Sequence, residues 1–247
     1  MTYSEKARAF AALHQPGTPV VLYNIWDTGS ARAIAGAGAA ALATGSYPVA
    51  MAHGFQDGEQ VPLAFALDNA RRIIAATDLP VTVDFEGGYA RDTDALTTNV
   101  TQLVETGAVG LNFEDQVVGT ADLYSIDEQS RRVAAVRAAH ADLFVNARTD
   151  LFLKEKDASK HANLVPEALE RGAAYAAAGA SGFFVPGLSD PELIAQVCAA
   201  SALPVNVMMR GITLATARQA GVARCSYGPI AHAKLMEVLA QQFQALE

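Results

Sequence analysis

The sequence predicts an α/β protein: a single (β/α)8 TIM barrel domain over residues 1–247, with one extra N-terminal helix. Three observations support this prediction. Short runs rich in apolar and β-branched residues alternate eight times with alanine-rich helical stretches. No glycine- or serine-rich linker and no change of composition divides the chain. Glycines follow several predicted helices shortly before the next strand, where a left-handed residue ends a helix.

The eight predicted strands are the β-rich runs. In chain order they are Val20–Trp26, Ala40–Ser46, Pro80–Glu86, Ala108–Asp115, Leu143–Asp150, Gly182–Gly187, Pro204–Met209 and Arg224–Pro229. Most of the helices between them begin at Asp, Ser, Thr, Asn or Pro, the residues that favour a helix N-terminus. After a first helix over Ser4–His14, they are Gly29–Ala37, Pro62–Ala76, Asp92–Glu105, Ser125–His140, Asn163–Ala178, Pro191–Ala200, Thr213–Ala220 and Ile230–Ala245.

An open, doubly wound sheet is the alternative architecture for this alternation. Its usual sign is a glycine-rich turn that follows a strand and opens a helix. The segment over residues 36–41, Gly-Ala-Gly-Ala-Ala-Ala, has the glycines in the opposite place, after a helix and before a strand. This segment therefore predicts the end of a helix, and the barrel is favoured.

Charge and cysteine content exclude several classes of protein. The chain has 18 Lys and Arg against 26 Asp and Glu, a net charge of −8, which argues against a nucleic-acid or membrane partner. Two cysteines, Cys198 and Cys225, are too few for a disulfide framework or a zinc cluster and are predicted to be packing residues. The first residues carry Glu5, Lys6 and Arg8 and no apolar signal core, so we expect a cytoplasmic protein.

Acidic and basic side chains recur on one face of the predicted strands. Residues two apart in a strand share a face, so Asp84 and Glu86 point the same way, opposite the valines of their strand. The same alternation places Glu114 and Arg148 inside the barrel, close to the carboxyl ends of the strands, where barrel enzymes bind substrate.

Two interpretations of these charges remain open at this point. One is a structural ion network around Arg148. The other, which we favour, is a hydrated divalent cation held by Asp84, Glu86 and Glu114, with Arg148 pairing an anionic substrate, because Mg2+ prefers oxygen ligands and keeps several waters.

Several segments in register resemble the isocitrate lyase / phosphoenolpyruvate mutase superfamily. Residues 84–89 (Asp-Phe-Glu-Gly-Gly-Tyr) resemble its metal-binding stretch, and residues 111–116 and 146–150 resemble two further family segments. Residues 44–47 and 54–57 are similar to the substrate loop and to the aspartate after strand two. Asn206 falls where lyase members have an asparagine.

The resemblance implies a cofactor, a substrate class and a set of site residues. The cofactor is Mg2+, with Mn2+ as an alternative. Asp84 is implied to be the most direct metal ligand, while Asp57, Glu86 and Glu114 act largely through water. The backbone near Ser46 and Tyr47, with Asp84, Arg148 and Asn206, is implied to bind a small 2-oxo-carboxylate. The catalytic residues implied are Arg148, Asp57 and Glu114. A homodimer or homotetramer is expected, without a predicted exchange of the C-terminal helix.

One departure from the family pattern narrows the predicted reaction. The lyases carry a Lys-Lys/Arg-Cys-Gly-His loop after the position of Gln116, and residues 117–124 contain no Cys, Lys or His. The predicted protein is thus a Mg2+-dependent lyase for a reaction that needs little proton donation, such as decarboxylation or retro-aldol cleavage of an oxaloacetate-like acid, with Tyr124 or water as proton source. The alternatives are a phosphoenolpyruvate/carboxyphosphonate phosphorylmutase-type enzyme and a non-catalytic 2-oxo-acid binding barrel.

Overall fold

The computed structural model describes residues 1–246 and confirms the predicted barrel. Its eight strands are all parallel and are hydrogen-bonded in the order β1-β8-β7-β6-β5-β4-β3-β2. A single parallel bridge between Ile25 and Thr44 joins the two ends of this sheet. The strands are β1 (Val20–Leu22), β2 (Leu42–Ala43), β3 (Val81–Asp84), β4 (Gly110–Glu114), β5 (Phe144–Arg148), β6 (Gly182–Phe184), β7 (Val205–Met208) and β8 (Arg224–Ser226).

Eleven α-helices are found among the described residues. They are α1 (Tyr3–Ala12), α2 (Thr28–Gly36), α3 (Ser46–Ala52), α4 (Leu63–Ala75), α5 (Thr93–Glu105), α6 (Ile126–Ala139), α7 (Leu151–Lys154), α8 (His161–Ala177), α9 (Pro191–Ala200), α10 (Leu214–Gln219) and α11 (Ile230–Gln244). The predicted N-terminal helix is confirmed as α1, which begins with a capping box between Thr2 and Glu5. Phe10 of α1 packs against Phe144, beneath the amino ends of the strands.

The observed strands end earlier than predicted, because the chain turns as it leaves the sheet. Glu86, predicted as the last residue of strand three, has a φ of 50°, and Tyr89 has a φ of 58°. Both values lie in the left-handed region, so the extended conformation of β3 stops at Asp84. Helices α3 and α7 were not predicted. They fill the loops that follow β2 and β5, where the sequence pattern indicated only irregular chain.

The two faces of the strands separate apolar from polar residues as predicted. Valines and other apolar side chains of the strands, such as Val83 and Leu111, belong to the core between the barrel and its helices. Polar side chains fill the barrel interior and are also buried, namely Thr82, Asn112, Asn146, Asn206, Arg224 and Ser226. The polar interior places hydrogen-bonding groups directly beneath the mouth of the barrel.

Most of the described surface of the last helix, α11, is uncovered. Beyond His232 its described residues are all exposed. They include large apolar side chains, with Leu239 exposed by 59% and Phe243 by 67%. None of the helices in the described part of the chain has the length and apolar character needed to cross a membrane.

Candidate active site at the mouth of the barrel

A cavity of about 240 Å³ opens at the carboxyl ends of the strands. Its wall combines a few polar groups with apolar side chains, as in typical small-molecule sites. Five of the predicted site residues line it, and they are Ser46, Tyr47, Asp57, Asp84 and Arg148. Residues from all eight strands or the loops that follow them contribute to the same wall, which is the expected geometry for a barrel enzyme.

Asp84, at the end of β3, is held by donors from two neighbouring elements. The backbone N–H of Ser46, the first residue of α3, donates to its Oδ2 at 3.0 Å. The amide of Asn112 donates to its Oδ1 at 3.3 Å. These contacts leave lone pairs on both carboxylate oxygens and fix the direction in which the carboxylate faces the cavity.

A buried arginine lies behind Asp84 in the barrel interior. Arg224 donates from Nη2 to Oδ1 of Asn112 at 2.9 Å, and Asn146 donates to the same oxygen at 2.8 Å. Arg224 is 1% exposed, and its Nη1 has no partner among the described residues. Burial lowers the pKa of Arg224 to about 9, while the charge of Asp84 opposes this shift. Asn112 therefore connects a buried cation to the predicted metal ligand.

Two further carboxylates, Asp57 and Glu86, lie near Asp84 and interact with its charge. Burial raises the pKa of Asp57, and the charge of Asp84 adds to the effect. Burial, with the charges of Asp57 and Asp84, raises the pKa of Glu86 to about 8. Glu86 lies in a smaller cavity beside Ser46 and Asp84, where its Oε2 accepts the backbone N–H of Glu59 at 2.8 Å. Accumulated negative charge of this kind is what a bound divalent cation would relieve.

Arg148 is already paired with two carboxylates. Its Nη1 lies 2.9 Å from Oε2 of Glu114, and its Nε and Nη2 donate to the two oxygens of Asp150 at 2.6 and 3.1 Å. Burial opposes the charge on Arg148, but the carboxylates of Asp150 and Glu114 outweigh it and raise its pKa further. Burial raises the pKa of Glu114, against the effect of Arg148. The ion network around Arg148 that the sequence left open is therefore present. Arg148 still lines the cavity, and it has N–H groups that these contacts do not use.

A second layer fixes the position of Asp150. The backbone N–H of Asp150 donates to Oδ1 of Asp115 at 2.9 Å. The other oxygen of Asp115 accepts from Arg171 at 3.2 Å and from the hydroxyl of Tyr175 at 2.9 Å. Both partners belong to α8, so this helix supports the orientation of Arg148 from outside the barrel.

Three predicted site residues do not line the main cavity. Glu114 is buried against Arg148, and Glu86 lies in the smaller neighbouring cavity. Asn206 is buried in the barrel interior, where it exchanges hydrogen bonds with Ser226 at 3.2 Å. Ser226 lines the cavity and Asn206 lies behind it, so the expected contact of Asn206 with substrate stays a prediction.

The number and type of side chains available as ligands indicate which metal ion this site fits. Within residues 1–246, no three His, Cys, Asp or Glu side chains come close enough together to hold a metal ion directly. This arrangement does not suit zinc, which takes three or four protein ligands. It fits Mg2+, which often takes one or two carboxylates and completes its coordination with water and substrate. Asp84 and Asp57 are the two carboxylates on the cavity wall.

The sequence reasoning missed three residues that line the cavity. Asn24 accepts the backbone N–H groups of Tyr227 and Gly228 at 2.8 Å and donates to the carbonyl of Thr44, so it joins both ends of the sheet at the mouth. Ser226 could have been found from its alternation with Cys225 in β8. Arg210 follows β7 and gave no periodic signal.

The segment after Gln116 forms a short turn that backbone hydrogen bonds close. Gln116 and Leu123 make an antiparallel bridge, and the N–H of Val117 donates to the carbonyl of Asp122. The ring of Tyr124 lies under the guanidinium of Arg132 at 4.3 Å, away from the cavity lining. Tyr124 packs against Arg132, and its role as a proton source stays a prediction.

The sequence and the structure were compared with known proteins. A family model described as phosphoenolpyruvate phosphomutase matches residues 10–247. The chain belongs to this family. A crystal structure from Burkholderia cenocepacia J2315, provisionally assigned as a phosphonomutase, is 45% identical with a TM-score of 0.96 over 100% of both chains.

Two curated relatives are more distant in sequence. An uncharacterized protein of Mycobacterium tuberculosis (strain H37Rv) is 33% identical over 90% of this chain and 82% of its own length. An oxaloacetate decarboxylase of Bradyrhizobium sp. (strain BTAi1) is 29% identical over 70% of this chain and 62% of its own length. The family and fold expected from the sequence motifs are therefore confirmed, and membership of this family supports an enzyme.

Proposed function

We propose that this protein is a Mg2+-dependent lyase that acts on a small 2-oxo-carboxylate such as oxaloacetate. The observation that carries the proposal is the setting of Asp84, whose carboxylate faces the cavity between the N–H of Ser46 and the amide of Asn112. The oxaloacetate decarboxylase found among the relatives supports the substrate class.

Three polar residues of the cavity, Asp84, Asp57 and Arg148, have roles in this proposal. Asp84 would hold Mg2+ directly, with Asp57 close by to orient the water around it. When bound, Mg2+ would withdraw electrons from the 2-oxo group and stabilise the enolate that forms as the adjacent C–C bond breaks. Arg148 would donate its remaining N–H groups to the substrate carboxylate, in the two-pronged geometry that a guanidinium allows.

The protonation of the enolate does not require a dedicated acid in this chain. The turn after Gln116 carries no Cys, Lys or His, and Tyr124 is packed against Arg132. Decarboxylation releases CO2 and can end with proton transfer from water to the enolate, so this reaction needs no acidic side chain. Retro-aldol cleavage would in addition need a base to take the proton of the substrate hydroxyl.

The test is a spectrophotometric assay of oxaloacetate and related 2-oxo acids with and without Mg2+. Because Mg2+ alone decarboxylates oxaloacetate slowly, each rate is corrected with an enzyme-free reaction. Asp84→Asn is expected to abolish the enzyme-dependent rate, a loss of several kcal/mol of transition-state stabilisation on the order expected for a positioned metal. Asp127→Asn, which removes an exposed carboxylate on α6, serves as the matched control. Absence of turnover by the unmodified protein on every acid would refute the lyase proposal.

A phosphorylmutase-type enzyme, for phosphoenolpyruvate or carboxyphosphonate, is the second candidate. It is favoured by the description of the family model and by the provisional assignment of the Burkholderia structure. Phosphorus NMR of phosphoenolpyruvate and phosphonopyruvate incubated with the protein and Mg2+ would detect its product. Tight binding of 2-oxo acids in calorimetry, with no turnover in either assay, would instead indicate a non-catalytic binding barrel.

We further propose a cytoplasmic homodimer or homotetramer in which α11 contacts a second copy of the chain. The support is the row of exposed apolar residues on α11, because an exposed apolar face of this kind marks interaction surfaces. Lys234 and Glu237 on the same helix provide charges of opposite sign, which suit contact between identical copies.

A further inference from the structure

A second cavity of about 420 Å³ adjoins the candidate active site. Leu153, Met208 and Arg210 line both cavities, so the two spaces are neighbours at the mouth of the barrel. The second cavity therefore adds room for a longer substrate tail beside the first.

Arg210 is a cation without a partner at the junction of the two spaces. Among the ion pairs of the described residues, Arg148 is neutralised by Glu114 and Asp150, and none involves Arg210. Arg210 is exposed to solvent, so its guanidinium is free to meet a ligand. An unpaired arginine at a binding site recognises planar anionic groups, because its N–H groups match two oxygens at once.

The backbone around Arg210 forms a tight turn after β7. Its N–H donates to the carbonyl of Met208 at 2.7 Å, and the side chain of Met209 is buried in the core. Gly211 follows with a φ of 80°, which a side chain would disfavour. These contacts place the backbone of Arg210 at the end of β7, and its side chain is exposed.

The charges of the second cavity favour an anion. Its lining contains the cationic Arg210 and Lys156, the imidazole of His161 and one carboxylate, Glu155. Lys156 also donates to the carbonyl of Leu153 at 2.7 Å, and Glu155 lies 3.7 Å from Lys160. The second cavity therefore carries more positive than negative groups, whereas Asp57 and Asp84 give the first cavity its negative charge.

We infer that Arg210 is a specificity-determining residue that binds a second acidic group, carboxylate or phosphonate, on the tail of the substrate. The inference rests on the proposed function, because it assumes that the 2-oxo-carboxylate end lies against Asp84 and Arg148. It assigns the two acid groups of the substrate to two different arginines.

Competition binding tests this assignment without turnover. The assay measures how well three acids displace oxalate, which has only the metal-binding end, in the presence of Mg2+. Two of them, 2-oxoglutarate and phosphonopyruvate, carry a second acidic group on a tail, and 2-oxobutanoate has an uncharged tail. We expect at least one of the two tailed acids to bind about tenfold more tightly than 2-oxobutanoate, equivalent to about 1.4 kcal/mol. The tighter of the two identifies a carboxylate or a phosphonate tail.

The variant Arg210→Met is expected to remove this tenfold preference and to leave oxalate affinity unchanged. Arg218→Met, on the exposed face of α10, removes the same charge elsewhere and is expected to keep the preference. An unchanged preference in Arg210→Met, or no preference in the unmodified protein, would overturn the role of Arg210 while oxalate binding still supports the proposed function. Failure of oxalate to bind with Mg2+ would overturn both.

Discussion

Asp150 is expected to be the carboxylate on which the position of Arg148 most depends. Both of its oxygens accept from the guanidinium, at 2.6 Å from Nε and 3.1 Å from Nη2, and its side chain is 1% exposed. Asp150→Asn keeps the first acceptor but places an NH2 group opposite Nη2, so one charge-assisted hydrogen bond becomes a contact between two donors.

The cost of this change follows from the burial of the pair. A hydrogen bond to a charged group contributes about 1.5–3 kcal/mol, and breaking a buried ion pair costs about 3–5 kcal/mol. Because Glu114 still neutralises part of the charge, we expect Asp150→Asn to lower the free energy of unfolding by about 3 kcal/mol, at the low end of that range.

Urea denaturation in metal-free buffer at neutral pH measures this loss. Asp68→Asn is the matched control, because Asp68 also accepts a hydrogen bond from an arginine, Arg72, at 2.7 Å. This pair lies on the surface, with the side chain of Asp68 54% exposed and that of Arg72 72% exposed. An exposed pair contributes only about 0.2–1 kcal/mol. The reasoning would be refuted if the two substitutions cost the same.

Three further predictions concern pH, metal and assembly. Burial lowers the pKa of His14 to about 3, so below pH 6.5 the unfolded chain takes up a proton that the folded protein excludes. As pH falls from about 6 to 4, the free energy of unfolding of the unmodified protein should decrease by about 1.4 kcal/mol per pH unit more than that of His14→Phe, as measured by urea denaturation. The same dependence on pH in both proteins would contradict this prediction. Because the pKa of Glu86 is raised to about 8, the metal-free protein should lose stability as pH rises from 4.5 through 8, and the thermal stabilisation by Mg2+ should grow over the same interval. In thermal shift assays, the stability of Glu86→Gln and its stabilisation by Mg2+ should both depend less on pH. The same pH dependence as in the unmodified protein would count against a role of Glu86 near the metal. Leu239→Asp on α11 should shift the protein to a smaller species in light scattering, whereas an unchanged mass would show that this face does not hold the subunits together.

The barrel was predictable because its signals are local. Alternation of period two assigned Val83 and Asp84 to opposite faces, and the structure places them in the core and on the cavity wall. Glycines such as Gly107 and Gly179 were expected to end helices and have φ values of 93° and 102°. These features depend on neighbouring residues alone, so one sequence is enough to predict them.

The features that were missed depend on contacts distant in the chain. Helix α3 begins where the N–H of Ser46 meets Asp84, 38 residues later, and no local pattern encodes that contact. The pairing of Glu114 with Arg148 follows from the register between β4 and β5, in which these two residues are direct partners. Sequence spacing predicted that the two charges share the barrel interior and left open an ion network around Arg148, but it did not identify Glu114 as a direct partner.

The most direct test of the metal site is a crystal soaked with Mn2+ and oxalate, because Mn2+ gives an anomalous signal where Mg2+ does not. We predict one anomalous peak in the cavity, within direct coordination distance of the carboxylate of Asp84, with oxalate bound beside it and Arg148 near its carboxylate. A cavity without an anomalous peak, or a peak away from Asp84, would contradict the proposal that this carboxylate binds the metal of a 2-oxo-acid lyase.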